Sequence, residues 1–193
     1  MVCEEPADPV GAAGEDSCGS SFAFGFNDAV RASVLSGTVT GELQQKLQQY
    51  PLANMGLVLG SHDSYAGVRL IEAFDGDEAA YKVAVATQLT LPGQPFIYYG
   101  EEIGMGHSDG NGGDWGLRAP MSWSAEGGFS TATPFRAPAV NRQHYNAAAQ
   151  QAQPNSIWNF YRQLIAVRKA HPALRDGELT LLSQDQVLAF RRH

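Results

Sequence analysis

The chain has 193 residues, 44% hydrophobic and 17% charged, the composition of a soluble globular domain rather than of a disordered or fibrous protein. Its formal charge of -7, with no Lys/Arg cluster beyond Arg191-Arg192, argues against a nucleic-acid partner. No apolar run approaches the ~20 residues of a membrane span, and "MVCEEPADP" lacks the basic head and apolar body of a signal peptide, so the chain as written carries neither a membrane segment nor an export address.

In chain order, "MVC" is a short apolar run that stops at Glu4-Glu5-Pro6 and reads as a lone leading strand. "FAFGF" (22–26) reads as a strand and "NDAVRASVLSG" as a helix, with Asn27 as N-cap and Gly37 as stop. "GELQQKLQQYP" is a short surface helix ended by Pro51, and "MGLVLG" is a continuous apolar strand. After the turn at Asp75, Asp77 caps a helix with small or apolar residues at Ala80, Val83, Ala84, Thr87 and Leu91, closed by Pro92-Gly93. "QPFIYYG" is the next strand. The Gly, Asp and Ser-rich stretch 104–153 has no sustained periodicity, and a loop of that length is expected to be functional. "SIWNFYRQLIAVRKAHP" returns to helix, with Ile157, Phe160, Tyr161, Leu164, Ile165 and Arg168 on one face. "LTLLSQDQVLAF" gives two strands around a Ser-Gln-Asp turn. Strand and helix thus alternate three times, and strands apolar throughout imply a parallel sheet covered on both faces.

Two cysteines are too few for a disulfide framework, and Cys3 and Cys18 read equally as one bridge or as two buried thiols. The polar trio Ser61-His62-Asp63, set directly after an apolar run, admits three readings: a serine-hydrolase triad, a metal site or a sugar-binding corner. Alternation along a strand puts Ser61 and Asp63 on one face and His62 on the other, which argues against a triad, and G-x-S-x-G is absent. The other histidines show no H-x-x-H spacing, which argues against a metal. Functional groups gather at the carboxyl ends of strands in parallel α/β sheets, where this trio falls, although simple turn capping would also explain it.

Four segments decide between these readings. "GSHDSYAGVR", "LPGQPFIYYGEEIGM", "LRAPMSW" and "PNSIWNFYRQLIAVRKAHPAL" resemble, in this order, the second half of the α-amylase family of glycoside hydrolases. The resemblance implies an α/β fold, the second half of a (β/α)8 TIM barrel (strands five to eight) over residues 1–174, followed by the start of a C-terminal β-sandwich at 175–193. It maps "MVC", "FAFGF", "MGLVLG" and "PFIYYG" onto those four strands. The family's general acid falls on Glu4, with Glu5 as fallback, and its transition-state-stabilising aspartate on Asp63 after His62. Ser61 stands where the family usually has asparagine, and the nucleophilic aspartate of the fourth strand has no counterpart, so the chain is expected to be a fragment of a longer parent.

A retaining glycosidase needs a carboxylate nucleophile and a second carboxylic acid that protonates the leaving oxygen. The resemblance assigns that acid to Glu4, whose carboxyl would be shielded by Pro6 and the strand before it. Asp63 would accept hydrogen bonds from ring hydroxyls of the reacting glucose, His62 would donate to a neighbouring hydroxyl, and Tyr65, Tyr98, Tyr99 and Trp115 could stack on sugar faces, with core packing the better expectation for Tyr98 and Phe96, which lie in a strand. Glu101 and Glu102 are assigned turn hydrogen bonds or a pair with Arg118. "SDGNGGD" (108–114) lacks the last acidic ligand of an EF-hand and reads as a solvated loop, so no metal or cofactor is assigned to this chain, while the resemblance leaves room for calcium in a full-length parent. The expected substrate is an α-glucan or oligosaccharide, and the expected compartment of the parent is secreted or periplasmic. Three alternatives stand beside hydrolysis: a glucanotransferase, an α-1,6-glucosidase, or a non-catalytic carbohydrate-binding fragment.

Overall fold

The computed structural model describes residues 1–110 and 112–193, which fall into two compact units. The first comprises Met1–Leu59, Val83–Phe96 and Ile165–His193, and the second Gly60–Lys82 and Ile97–Leu164.

The first unit is built on three parallel strands, β1 (Ser21–Phe22), β2 (Met55–Val58) and β3 (Gln94–Phe96), in the order β1-β2-β3. "MVC" contributes only a parallel bridge from Cys3 to Ser21, and Cys3 is disulfide-bonded to Cys18, which settles the open pairing. All four residues of β2 are buried, as a central parallel strand demands. Gly56 sits at its middle because Phe22 and Phe96 close over it edge to face, 4.9 Å between centroids, and an added Cβ would lie 2.8 Å from the Phe22 ring. Pro95, which has no N–H to give a ladder, occupies β3, which among the described residues pairs on one side only.

Two expected strands are shorter than the sequence suggested. "FAFGF" leaves the sheet after Phe22, and Phe26 already opens helix α2 (Phe26–Ser36), with Gly25 rather than Asn27 in the N-cap position and Gly37 ending it as expected. "PFIYYG" leaves it after Phe96. In both cases a short apolar run satisfies a strand and the buried start of the next element equally well, so its hydrophobicity does not mark the boundary.

Around the sheet lie α1 (Pro9–Ala12), α2, α3 (Gly41–Gln49), the later part of α5 (Glu78–Thr90), the last turns of α8 (Ile157–Ala170) and α9 (Pro172–Asp176). Leu43 and Leu47 are the buried pair of α3, as their spacing predicts. Asp77 caps α5 by accepting from the amides of Ala79 and Ala80. The buried face of that helix is Tyr81, Ala84, Val85, Gln88 and Leu89; Ala84, and Leu91 just beyond the helix, are buried as expected, whereas Val83 is exposed. Small residues all round this helix leave its sequence without a sharp face, and the polar Gln88 is buried because its amide donates to the carbonyls of Leu57 and Phe96, 2.8 and 3.0 Å.

Arg168 plugs the carboxyl end of α5, donating to the carbonyls of Leu89, Leu91 and Gly93. Arg192 does the same at Thr90 and Gly177. It belongs to an antiparallel hairpin, β4 (Leu179–Gln184) with β5 (Leu188–Arg192), which forms a separate two-stranded sheet. The hairpin turn falls at 185–187, two residues beyond the Ser-Gln-Asp expected from sequence.

The second unit contains α4 (Leu70–Ala73), α6 (Gly113–Leu117), α7 (Ala147–Ala152) and the first turns of α8, where Ile157 and Tyr161 are buried on the expected face. Most of the stretch 104–153 is irregular, held by a cluster of Ile103, Met105, Ala119, Ala139 and Ala147 with Met121 and Trp158 against it. Among the described residues no helix is long and apolar enough to cross a membrane.

Candidate active site

The polar trio lies beyond the strand that precedes it. β2 stops at Val58, so side-chain alternation no longer governs residues 61–63, and His62 and Asp63 do not point apart as a continued strand would require. His62 Nε2 stands 3.2 Å from Asp63 Oδ2. The other carboxylate oxygen, Oδ1, accepts from Arg118 Nη2 at 2.8 Å, and Arg118 Nε donates to the His62 carbonyl at 3.0 Å. The guanidinium thus grips both the main chain and the side chain of the corner, the arrangement for which its rigid fork is suited.

Arg118 reaches this point from the end of α6, and Asp114 on the same helix sits 3.5 Å from its Nη2. Asp114 Oδ1 accepts the Ser64 amide at 2.6 Å, and hydrogen bonding by the Ser64 hydroxyl, then by that amide, holds the Asp114 carboxyl below the usual range. Tyr65 follows in the short 3-10 turn Ser64–Ala66, with 37% of its surface exposed. Of the two roles expected for Glu101 and Glu102, turn hydrogen bonds or a pair with Arg118, the structure shows the first, and Arg118 pairs with Asp63. Glu101 and Glu102 make turn hydrogen bonds, accepting from the amides of Tyr98 (3.0 Å) and Gly100 (2.8 Å) respectively.

Behind the corner, Arg69 is 2% exposed, donates to the carbonyls of Tyr99 (2.6 Å) and Leu117 (2.5 Å), and stacks over both tyrosine rings, 4.5 Å from Tyr98 and 4.9 Å from Tyr99. The Tyr98 hydroxyl donates to the Leu117 carbonyl and that of Tyr99 to Ala119. The tyrosines of "PFIYYG" therefore tie the "LRAP" segment in place, and the Tyr98 ring lies 6.4 Å from that of His62. Burial raises the Tyr98 hydroxyl well above the ordinary range, so it stays a neutral donor.

The second unit thus brings together His62, Asp63, Tyr98, Arg118 and Asp114. Glu4 belongs to the first unit, where it is exposed; Pro6, itself exposed, does not supply the expected shielding, and the neighbouring Glu5 carboxylate accepts from the Ala7 amide. Sequence reasoning missed Asp114 and Arg69. Arg69 was legible as the one arginine of "SYAGVR", set among small and apolar residues; Asp114 gave no signal, because only the fold carries α6 back to Ser64. Among the described residues no group of three or more His, Cys, Asp or Glu is placed to hold a metal ion, and Asn111, in the middle of "SDGNGGD", lies outside them.

The parallel sheet of the first unit, its strands separated in the chain by helices, defines an α/β protein. The family model for the catalytic domain of alpha amylase matches residues 27–177, and the chain belongs to the α-amylase family of glycoside hydrolases and transglycosylases. It is 39% identical over 135 residues to the trehalose synthase/amylase TreS of Mycobacterium tuberculosis (strain ATCC 25618 / H37Rv), covering 64% of this chain and 22% of that protein. Alpha-amylase 3 of Dictyoglomus thermophilum is 34% identical over 139 residues, 70% of this chain and 27% of its own length. The crystal structure of the alpha-amylase from H.orenii superposes with a TM-score of 0.65 at 27% identity, over 90% of this chain and 36% of that one. The chain therefore spans about a quarter of the length of these curated relatives.

Proposed function

We propose that this chain supplies the acid and the stabilising aspartate of a retaining enzyme acting on α-glucosidic bonds of starch-like glucans or oligosaccharides. The observation that carries the reading is the Asp63 corner. An ionised carboxylate accepts at about four lone-pair positions, and Arg118 and His62 take one on each oxygen, leaving room for two sugar hydroxyls. Hydrogen bonds from those hydroxyls hold the glucose ring flattened as positive charge grows at its anomeric carbon. His62, whose side chain is 58% exposed, spends Nε2 on Asp63 and offers Nδ1 to a neighbouring hydroxyl, as acceptor when neutral and as donor when protonated, and Tyr65 offers a stacking face. Glu4 keeps the role of proton donor by its place in the sequence after Cys3.

On this reading residues 1–174 are the second half of a (β/α)8 barrel and residues 175–193 begin a β-sandwich. Support comes from the consecutive parallel order of β1, β2 and β3 and from the separate antiparallel sheet of β4 and β5. The nucleophile lies outside this chain, which by itself turns over nothing. The likeness to proteins named trehalose synthase favours a second reading, transfer of the glucosyl group to another hydroxyl of the sugar instead of to water. A glucanotransferase or an α-1,6-glucosidase would use the same corner.

The test is to incubate the complete catalytic domain that carries this chain with maltose, trehalose, isomaltose, sucrose and soluble starch. Release of reducing sugar supports hydrolysis, and interconversion of maltose and trehalose supports transfer. A domain that turns over no α-glucoside refutes both and leaves a carbohydrate-binding role.

A further inference from the structure

The functional reading leaves one buried carboxyl group unused. Glu101 is 2% exposed, and its side chain points away from solvent behind the corner. Its Oε2 accepts the Tyr98 amide at 3.0 Å. Its Oε1 faces the main chain of Gly60 without a hydrogen bond of regular geometry, and a Cβ on residue 60 would lie 2.5 Å from it. A side chain at residue 60 would have to displace this carboxyl, so carboxyl and main chain are in direct contact. The Tyr81 hydroxyl donates to the Glu101 carbonyl at 2.7 Å and fixes the residue from its other side.

These contacts close a ring. From Gly60 the chain runs through Ser61 and His62 to Asp63; Asp63 is bound to Arg118, and Arg118 follows Leu117 in the chain. The Leu117 carbonyl accepts the Tyr98 hydroxyl at 3.1 Å, and the Tyr98 amide returns to Glu101. Glu101 touches both the segment that presents Asp63 and the segment that anchors Arg118. We propose that Glu101 is a positioning residue, a clasp between Gly60 and Tyr98 whose state sets where Asp63 and Arg118 stand; the catalytic consequence rests on the role given to Asp63 above.

The groups facing the clasp are Arg69, Glu102, Tyr98, Tyr81 and Tyr161. Burial is the strongest influence and raises the carboxyl to about 8; the Tyr98 amide, then Arg69, oppose it, Glu102 adds to it, and the Gly60 main chain, too poorly aligned for a regular hydrogen bond, opposes it least. Near neutrality the clasp is a neutral acid with its carbonyl oxygen on Tyr98. Ionisation above that point puts a charge against a main chain that gives it no regular hydrogen bond, and the ring of contacts must adjust.

The test is a carbon-detected NMR titration, from pH 6 to 10, of the complete catalytic domain that carries this chain, following Glu101 Cδ, Asp63 Cγ and Arg118 Cζ, with the variants Glu101→Gln and Glu101→Leu. Asp63 and Arg118 are expected to shift with the Glu101 midpoint, near 8, and to lose that step in Glu101→Gln, which keeps a neutral acceptor. In the complete catalytic domain, Glu101→Leu is expected to lower kcat on the order of 10- to 100-fold with KM within about threefold, since small misplacements of a reacting group cost that much. Glu101→Gln is expected to restore kcat below pH 7 and to abolish its change near pH 8. Asp63 and Arg118 signals that stay flat while Glu101 titrates overturn the proposal, as does unchanged kcat in Glu101→Leu. If Glu101→Leu does not fold, the wild-type titration and Glu101→Gln still decide. A domain inert towards every α-glucoside sinks the role of Asp63 without touching the titration, whereas an active domain indifferent to Glu101 sinks this inference alone.

Discussion

Replacing Glu101 by glutamine should change stability with a sign that depends on pH. The carboxyl is fully buried, and its folded-state value of about 8 lies above the ordinary 4.5. Between those values the folded chain holds a proton that the unfolded chain has released, so the stability of the wild type falls as pH rises through this window and levels off above it. At ~1.36 kcal/mol per unit, the accumulated cost is ~1 kcal/mol at pH 5, ~3 at pH 7 and ~5 at pH 9. Glutamine does not titrate, but its NH2 replaces a carboxyl oxygen at the Gly60 contact, where an unsatisfied donor costs ~1–3 kcal/mol at every pH. The variant should therefore be less stable than wild type at pH 5 and more stable at pH 9, the difference moving by ~4 kcal/mol between them, independent of the amide cost. Urea unfolding at pH 5, 7 and 9 measures it, and a difference constant to within ~1 kcal/mol across that range would refute the reasoning.

Two further outcomes follow from the first unit. Arg168→Ala removes three donors from the carbonyls of Leu89, Leu91 and Gly93 and should cost ~2–4 kcal/mol, read as a lower urea midpoint with unchanged slope; an unchanged midpoint would show that water satisfies those carbonyls equally well. Reducing the Cys3–Cys18 bond opens a loop with sequence separation 15 and should lower stability by ~3 kcal/mol, which calorimetry with and without reductant checks; identical transitions would show that the segment before β1 contributes nothing to the folded unit.

Much of the architecture was legible from periodicity: the continuous burial of "MGLV", the Leu43-Leu47 pair, the Asp77 cap, the inner face of α8 and the closing hairpin. Boundaries were not. "FAFGF" and "PFIYYG" each run from a strand into the next buried element without a change in hydrophobicity, so only hydrogen-bond pairing decides where the sheet stops. At the site, the pattern marked His62 and Asp63 but gave them opposite directions by assuming a strand that has already ended. Between the turn hydrogen bonds and the Arg118 pair open to Glu101 and Glu102, a single sequence does not choose; the amides of their own turn satisfy both carboxylates and leave Arg118 to Asp63. The role of Glu101 needed burial and the contact with Gly60, neither of which a single sequence reports.

The most direct measurement of the central claim is kcat of the complete catalytic domain carrying Asp63→Asn, on whichever α-glucoside the wild type turns over fastest. The substitution keeps the shape of the corner and removes the charge that Arg118 and His62 orient and that the sugar hydroxyls meet in the transition state. Losing a preorganised electrostatic contact of this kind lowers kcat by on the order of 10²–10³-fold, and that loss, with folding unchanged, is the predicted result. An Asp63→Asn domain that folds and retains kcat within about threefold of wild type would contradict the account.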